Sequence, residues 1–117
     1  MSLNKINRFD INTEIYLLNK EKDIYSYLYR LQKVSSYFYV KKVEIKKLYG
    51  YKDKHKSQNF NFLKNTFSKI DHSYAERVIK RLECEQIKSP KKFLNIEGRD
   101  ILQKTLAMYK ICKRFFK

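Results

Sequence analysis

The chain has 117 residues, 43% of them hydrophobic, and its 27 basic and 12 acidic side chains leave a net charge of +15. That apolar fraction excludes a chain too polar to collapse, and no apolar run reaches the length of a membrane span. Two glycines and one proline supply little for tight hairpins, phosphate-cradling loops or flexible linkers, so short polar turns between helices are expected.

Residues 1–11 are polar with scattered Leu3, Ile6, Phe9 and Ile11, and read as an N-terminal arm or a frayed first turn. Asn12 or Thr13 is placed to cap a short helix carrying Ile15, Tyr16 and Leu18. Asp23 is a stronger start signal, because its carboxylate accepts from an orphan N–H and faces the positive end of the helix dipole. Ile24, Leu28, Leu31 and Val34 then follow a helical step on one face. Ser35-Ser36 reads as a bend, and the β-branched and aromatic run SSYFYV has strand character.

The stretch KKVEIKKLYGYKDKHK, residues 41–56, holds seven lysines against Glu44 and Asp53. Val43, Ile45 and Leu48 give it a helical face, and Gly50 suits the left-handed position just past a helix end. Lys46 and Lys47 complement the negative end of that helix's dipole. Lys52, Lys54 and Lys56 have no such local reason and lie on a connector too charged to be core. Ser57 opens the next helix, where Phe60, Leu63, Phe67 and Ile70 keep a helical seam. Ser73-x-x-Glu76 reads as a capping box before Val78, Ile79 and Leu82, and that helix is expected to end near Lys88.

Ser89-Pro90-Lys91-Lys92 reads as a helix start, with Ser at the cap and Pro in the first turn. It also resembles a single copy of the SPKK repeat of linker-histone tails, which works in multiple copies. Glu97-Gly98 reads as a break, and Asp100 as the cap of a last helix with Ile101, Leu102, Thr105, Leu106, Tyr109, Cys112 and Phe116 on one side. The expected fold is therefore all-α, a compact single-domain bundle of about four to six helices. A small α+β, winged-helix-like fold is the lesser alternative.

Charge is uneven along the chain. Residues 1–40 carry six basic and four acidic side chains, whereas 41–117 carry twenty-one and eight. AT-rich coding accounts for lysine over arginine but not for the deficit of acids, and this much uncompensated charge costs stability by self-repulsion. A polyanion partner supplies the missing countercharge. Phosphate neutralisation needs clustered Lys and Arg rather than a motif, and three clusters qualify. The first is Lys41, Lys42, Lys46, Lys47, Lys52, Lys54 and Lys56. The second is Arg77, Lys80 and Arg81 with Lys88, Lys91 and Lys92; the third is Lys110, Lys113 and Arg114 with Lys117. Tyr49, Tyr51 and Phe62 are the aromatics placed to stack on bases beside the first cluster. A helix-turn-helix pairing of residues 43–49 with 58–70 needs a 3–4-residue turn, and Gly50–Ser57 is longer and heavily charged. Contact with the backbone of RNA or DNA, alone or within a ribonucleoprotein, is the preferred reading.

Catalytic patterns are missing. Neither a G-x-x-x-x-G-K-[ST] nor a G-x-G-x-x-G run exists, and there is no G-x-S-x-G elbow. Asp71, His72 and Glu76 form the only cluster that invites an acid–base or metal reading, and its place between two helices marks it as a turn. His55 lies among lysines. Cys84 and Cys112 have neither metal-ligand nor disulfide-framework spacing, so reduced thiols in the cytoplasm are expected. These residues predict a non-enzymatic protein without cofactor, metal or membrane contact. The competing class is a small interaction or inhibitor module whose basic face grips an acidic protein or blocks a nucleic-acid site; ten tyrosines suit such an interface.

Overall fold

A computed structural model describes residues 9–89, 91 and 96–117, with the side chains of 96–98 excepted. Among the described residues five helices run in order: α1 Ile11–Lys20, α2 Ile24–Tyr49, α3 Gln58–Phe67, α4 His72–Lys88 and α5 Ile96–Phe115, with a 3-10 turn at Lys54–Lys56 between α2 and α3. No strand occurs among the described residues, so the winged-helix alternative falls and the all-α expectation holds.

Helix α2 is the spine. At 1.5 Å per residue its 26 residues reach about 39 Å, and it packs most extensively on α5 while also touching α1, α3 and α4. Asp23 caps it as expected, its carboxylate accepting from the Ser26 N–H at 2.8 Å. Gly50 ends it at φ 72°, its N–H donating to the Lys46 carbonyl at 2.8 Å. A β-carbon at Gly50 would meet nothing within 4 Å, so only the backbone conformation asks for glycine there.

SSYFYV is helical, the middle of α2, so its strand character is not expressed, and the bend expected at Ser35-Ser36 is a correction. Val34, Ser35 and Phe38 are buried while Ser36 and Val40 are exposed, which is the helical period. Burial against α5 overrides the strand preference of the side chains, because no neighbouring strand exists to satisfy the alternative backbone. The segment 43–49 is likewise the end of this long helix rather than the first half of a helix-turn-helix.

Five phenylalanines close the core. Phe38, Phe60, Phe67, Phe115 and Phe116 are all buried, with ring centroids between 5.0 and 5.9 Å apart for the contacting pairs. Four of these six pairs meet edge-to-face, an arrangement that stabilises by about 0.5–1.5 kcal/mol each beyond area burial. The seam Phe60, Leu63, Phe67 and Ile70 is buried as its spacing predicts.

Three helix starts differ from expectation. Helix α1 begins two residues early behind Asp10, whose carboxylate accepts from Thr13 Oγ1 at 2.6 Å. Phe9 stacks on Tyr37 and Ile11 is buried, so the last residues of the supposed arm belong to the fold. Helix α4 is capped by Asp71, which accepts from the Tyr74 N–H at 3.1 Å, and Ser73 lies inside it. The aspartate outcompetes the serine because a carboxylate bonds the terminal N–H groups with a full charge. Helix α5 passes through Glu97-Gly98 without a break and starts before Asp100. Of the expected Ser89–Lys92 helix start, Pro90 and Lys92 lie outside the described residues, as does most of the N-terminal arm, while Ser89 closes α4.

Candidate nucleic-acid interface

The lysine run of residues 41–56 does not form one surface. Successive residues of a helix turn by about 100°, and side chains four apart share a face. Lys42 and Lys46 therefore point the same way, toward α5, and with Tyr51, Ile111, Arg114 and Phe115 they line a depression of about 230 Å³. Lys41 turns about 100° away, where it faces Glu44 at 3.8 Å and lines a separate depression with Tyr49 and Lys56. Lys56 is itself paired with Asp53 at 3.7 Å. Lys47 and Lys52 are exposed.

Lys54 is the clear correction. It is 6% exposed, and its Nζ donates to the Phe115 carbonyl at 2.8 Å. The ammonium sits 4.0 Å from the Tyr51 ring centroid, 4.8 Å from Phe115 and 5.4 Å from Phe60. The last carbonyls of a helix have no partner within it, and this buried cation supplies one at the end of α5. Lys54 is thus unavailable to a phosphate.

The C-terminal cluster continues the Lys42–Lys46 face. Lys110, Lys113, Arg114 and Lys117 line an adjoining depression, and Arg114 belongs to both. Together the two depressions are lined by six cations and no acid. Lys113 bonds Glu76 across from α4; Lys46, Lys110, Arg114 and Lys117 have no ion-pair partner among the described residues. Part of this charge answers the α5 dipole, which amounts to about half a negative charge at the C-terminus. Lys54 already meets that end directly, so most of the positive charge is surplus to the fold.

The α4 cluster forms a third place. Arg77 and Arg81 share a face and, with Lys22, Ile24, Tyr74 and Val78, line a depression of about 260 Å³. The hydrogen bond and charge of Lys113 hold the Glu76 carboxyl below the usual carboxylate range, and Lys80, exposed one turn beyond, adds a smaller share. Lys22 was missed in the sequence because it stands in the charge-balanced first third, on the α1–α2 connector. Lys91 is exposed, and Lys92 lies outside the described residues. Of the three candidate stacking residues, Tyr51 alone lies in the Lys42–Arg114 depression. Tyr49 lines the other depression, with Lys41, and Phe62, 55% exposed on α3, lines neither basic depression.

His72 has a structural job. Its Nε2 donates to the Phe67 carbonyl at 3.0 Å, which leaves Nδ1 to accept from the Tyr109 hydroxyl at 2.7 Å. Burial lowers the His72 pKa from its ordinary value and so favours the neutral ring, in which Nδ1 accepts from that hydroxyl. Asp71 caps α4 and Glu76 pairs with Lys113, so the three residues are divided among three separate tasks. Cys84 is exposed on the same helix as His72 and 12 residues further on, about 18 Å along the axis. That separation keeps the Cys84 thiol out of reach of the His72 imidazole. Burial pushes the Cys112 thiol up to about 12, so it stays protonated at neutral pH. Among the described residues no three His, Cys, Asp or Glu side chains converge as metal ligands, and no helix is long and apolar enough to cross a membrane.

No family model, curated protein or solved structure matches the chain.

Proposed function

We propose that this is a non-enzymatic, cytoplasmic nucleic-acid-binding protein, acting alone or as a ribonucleoprotein subunit, that engages the phosphate backbone through the face shared by the ends of α2 and α5. The observation carrying this reading is the acid-free pair of depressions, where Lys42 and Lys46 meet Lys110, Lys113, Arg114 and Lys117. Surplus positive charge gathered on one face, against the cost of its self-repulsion, is what a polyanion ligand requires. Arg114 adds a planar fork that can hold a phosphate bidentately. Arg77, Lys80 and Arg81 with Lys22 extend the positive field over α4.

The test is fluorescence anisotropy against RNA and DNA across a salt series, with Lys46→Gln/Arg114→Gln beside Lys41→Gln/Lys56→Gln. Removing two phosphate contacts lowers the log–log salt slope by about 1.4 on a single strand or about 1.8 on a duplex. The first pair is expected to do so. The second pair, already matched to Glu44 and Asp53, is expected to change it far less. Equal effects of the two pairs would refute the assignment of this face, and no binding at low salt would refute the function and point to an acidic protein partner.

A further inference from the structure

We infer that the ligand of this face is single-stranded nucleic acid, with one unpaired base stacked on Tyr51 while its flanking phosphates lie on Lys46 and Arg114. This rests on the phosphate-binding reading above and narrows it. Tyr51 stands in the wall of the Lys42–Lys46–Arg114 depression, yet 52% of it remains exposed. An aromatic side chain left half in water is common on its own; here the exposed half is held beside three cations, where a ligand drawn by them would meet it.

The holding is specific. Gly50, at φ 72°, ends α2 and turns the chain so that Tyr51 reaches the last turn of α5. There Lys54 Nζ sits 4.0 Å from the ring centroid and Phe115 meets the ring edge-to-face at 5.9 Å. Lys54 is in turn tied to the Phe115 carbonyl. The ring is therefore fixed in orientation before any ligand arrives, which removes the ordering cost of a free side chain. In a duplex each base face is covered by its neighbours, so a flat ring recessed among cations has nothing to stack on. Single strands present open base faces, and aromatic platforms beside basic grooves take them with little sequence preference.

Tyr51→Leu and Tyr51→Phe would be compared with wild type on single-stranded RNA, single-stranded DNA and a duplex of the same sequence, with the thermal midpoint recorded for each protein. Tyr51→Leu keeps an apolar cover over Lys54 but loses the flat ring. It is expected to weaken single-strand binding about 5- to 150-fold, the range for one stacked base, while duplex binding and the salt slope stay as in wild type. Tyr51→Phe retains the platform and is expected to bind like wild type. If Tyr51→Leu weakens single strand and duplex equally, or neither, the inference is overturned while the phosphate-binding reading stands. Absence of binding to every probe at low salt overturns both. Stronger loss on RNA than on DNA would support stacking with a contact to the 2′-hydroxyl.

Discussion

Replacing Lys54 by methionine separates the lysines that hold the fold together from those that face solvent. Methionine keeps the apolar stem beside Tyr51, Phe60 and Phe115 and deletes only the ammonium and its bond to the Phe115 carbonyl. Two terms oppose each other. Deletion relieves the desolvation of a buried ammonium, and substituting apolar groups for buried charge is often neutral when every partner leaves together. Here one partner stays. The Phe115 carbonyl ends α5, has no bond within the helix, and is left unsatisfied at about 1–3 kcal/mol. The aromatic contacts of the cation, about 2 kcal/mol where desolvated, are lost as well. The second and third terms outweigh the relief, and a net destabilisation of about 2 kcal/mol is expected. With an m-value of about 1.5 kcal/mol/M, the urea midpoint falls by about 1.3 M at unchanged slope. Lys52→Met, on the exposed connector, is expected to stay within about 0.5 kcal/mol of wild type. Under conditions where both variants are folded, Lys54→Met should leave the salt dependence of nucleic-acid binding untouched, because its Nζ is engaged inside the protein. A Lys54→Met midpoint indistinguishable from that of Lys52→Met would refute the reasoning, as would a lowered salt slope.

Two other outcomes follow from the same structure. The folded state lowers the His72 pKa, so between that value and the unfolded 6.5 the unfolded chain binds more protons. The His72 contribution to stability is then fully present above about pH 6.5 and is lost as pH falls below it. Urea midpoints from pH 7.5 to 5 should decline in wild type and more weakly in His72→Gln, and parallel curves would contradict the neutral-imidazole assignment. Glu76→Gln frees Lys113 at the edge of the α5 basic face. It is expected to tighten nucleic-acid binding and steepen the log–log salt slope by about 0.7 on a single strand; unchanged binding would place Lys113 outside the contact surface.

Features readable from the sequence are those decided within a turn or two of chain. Asp23 caps α2 because the orphan N–H groups lie three residues away. Gly50 ends α2 because only the local backbone has to turn. The seam Phe60, Leu63, Phe67 and Ile70 is buried because helical period alone puts the four on one side. Each of these is a short-range rule with one answer. The same rules failed at Ser73 and Glu97-Gly98, where a nearby stronger cap and helix continuation were equally compatible with the local pattern.

The amino-acid sequence by itself determined an all-helical chain with surplus positive charge concentrated after residue 40. Tertiary structure decided what each positive charge does. Lys54 is drawn inward by a carbonyl 61 residues away, and Lys113 is joined to Glu76 from 37 residues away. Lys42 and Lys46 meet Arg114 only because α5 packs along α2, while Lys41, one position from Lys42, lines a separate depression with Glu44. Helix formation depends on bonds four residues long, but the direction a side chain faces acquires meaning only when another helix arrives there. Composition therefore announces an excess of charge, and packing selects which lysines carry it to the surface.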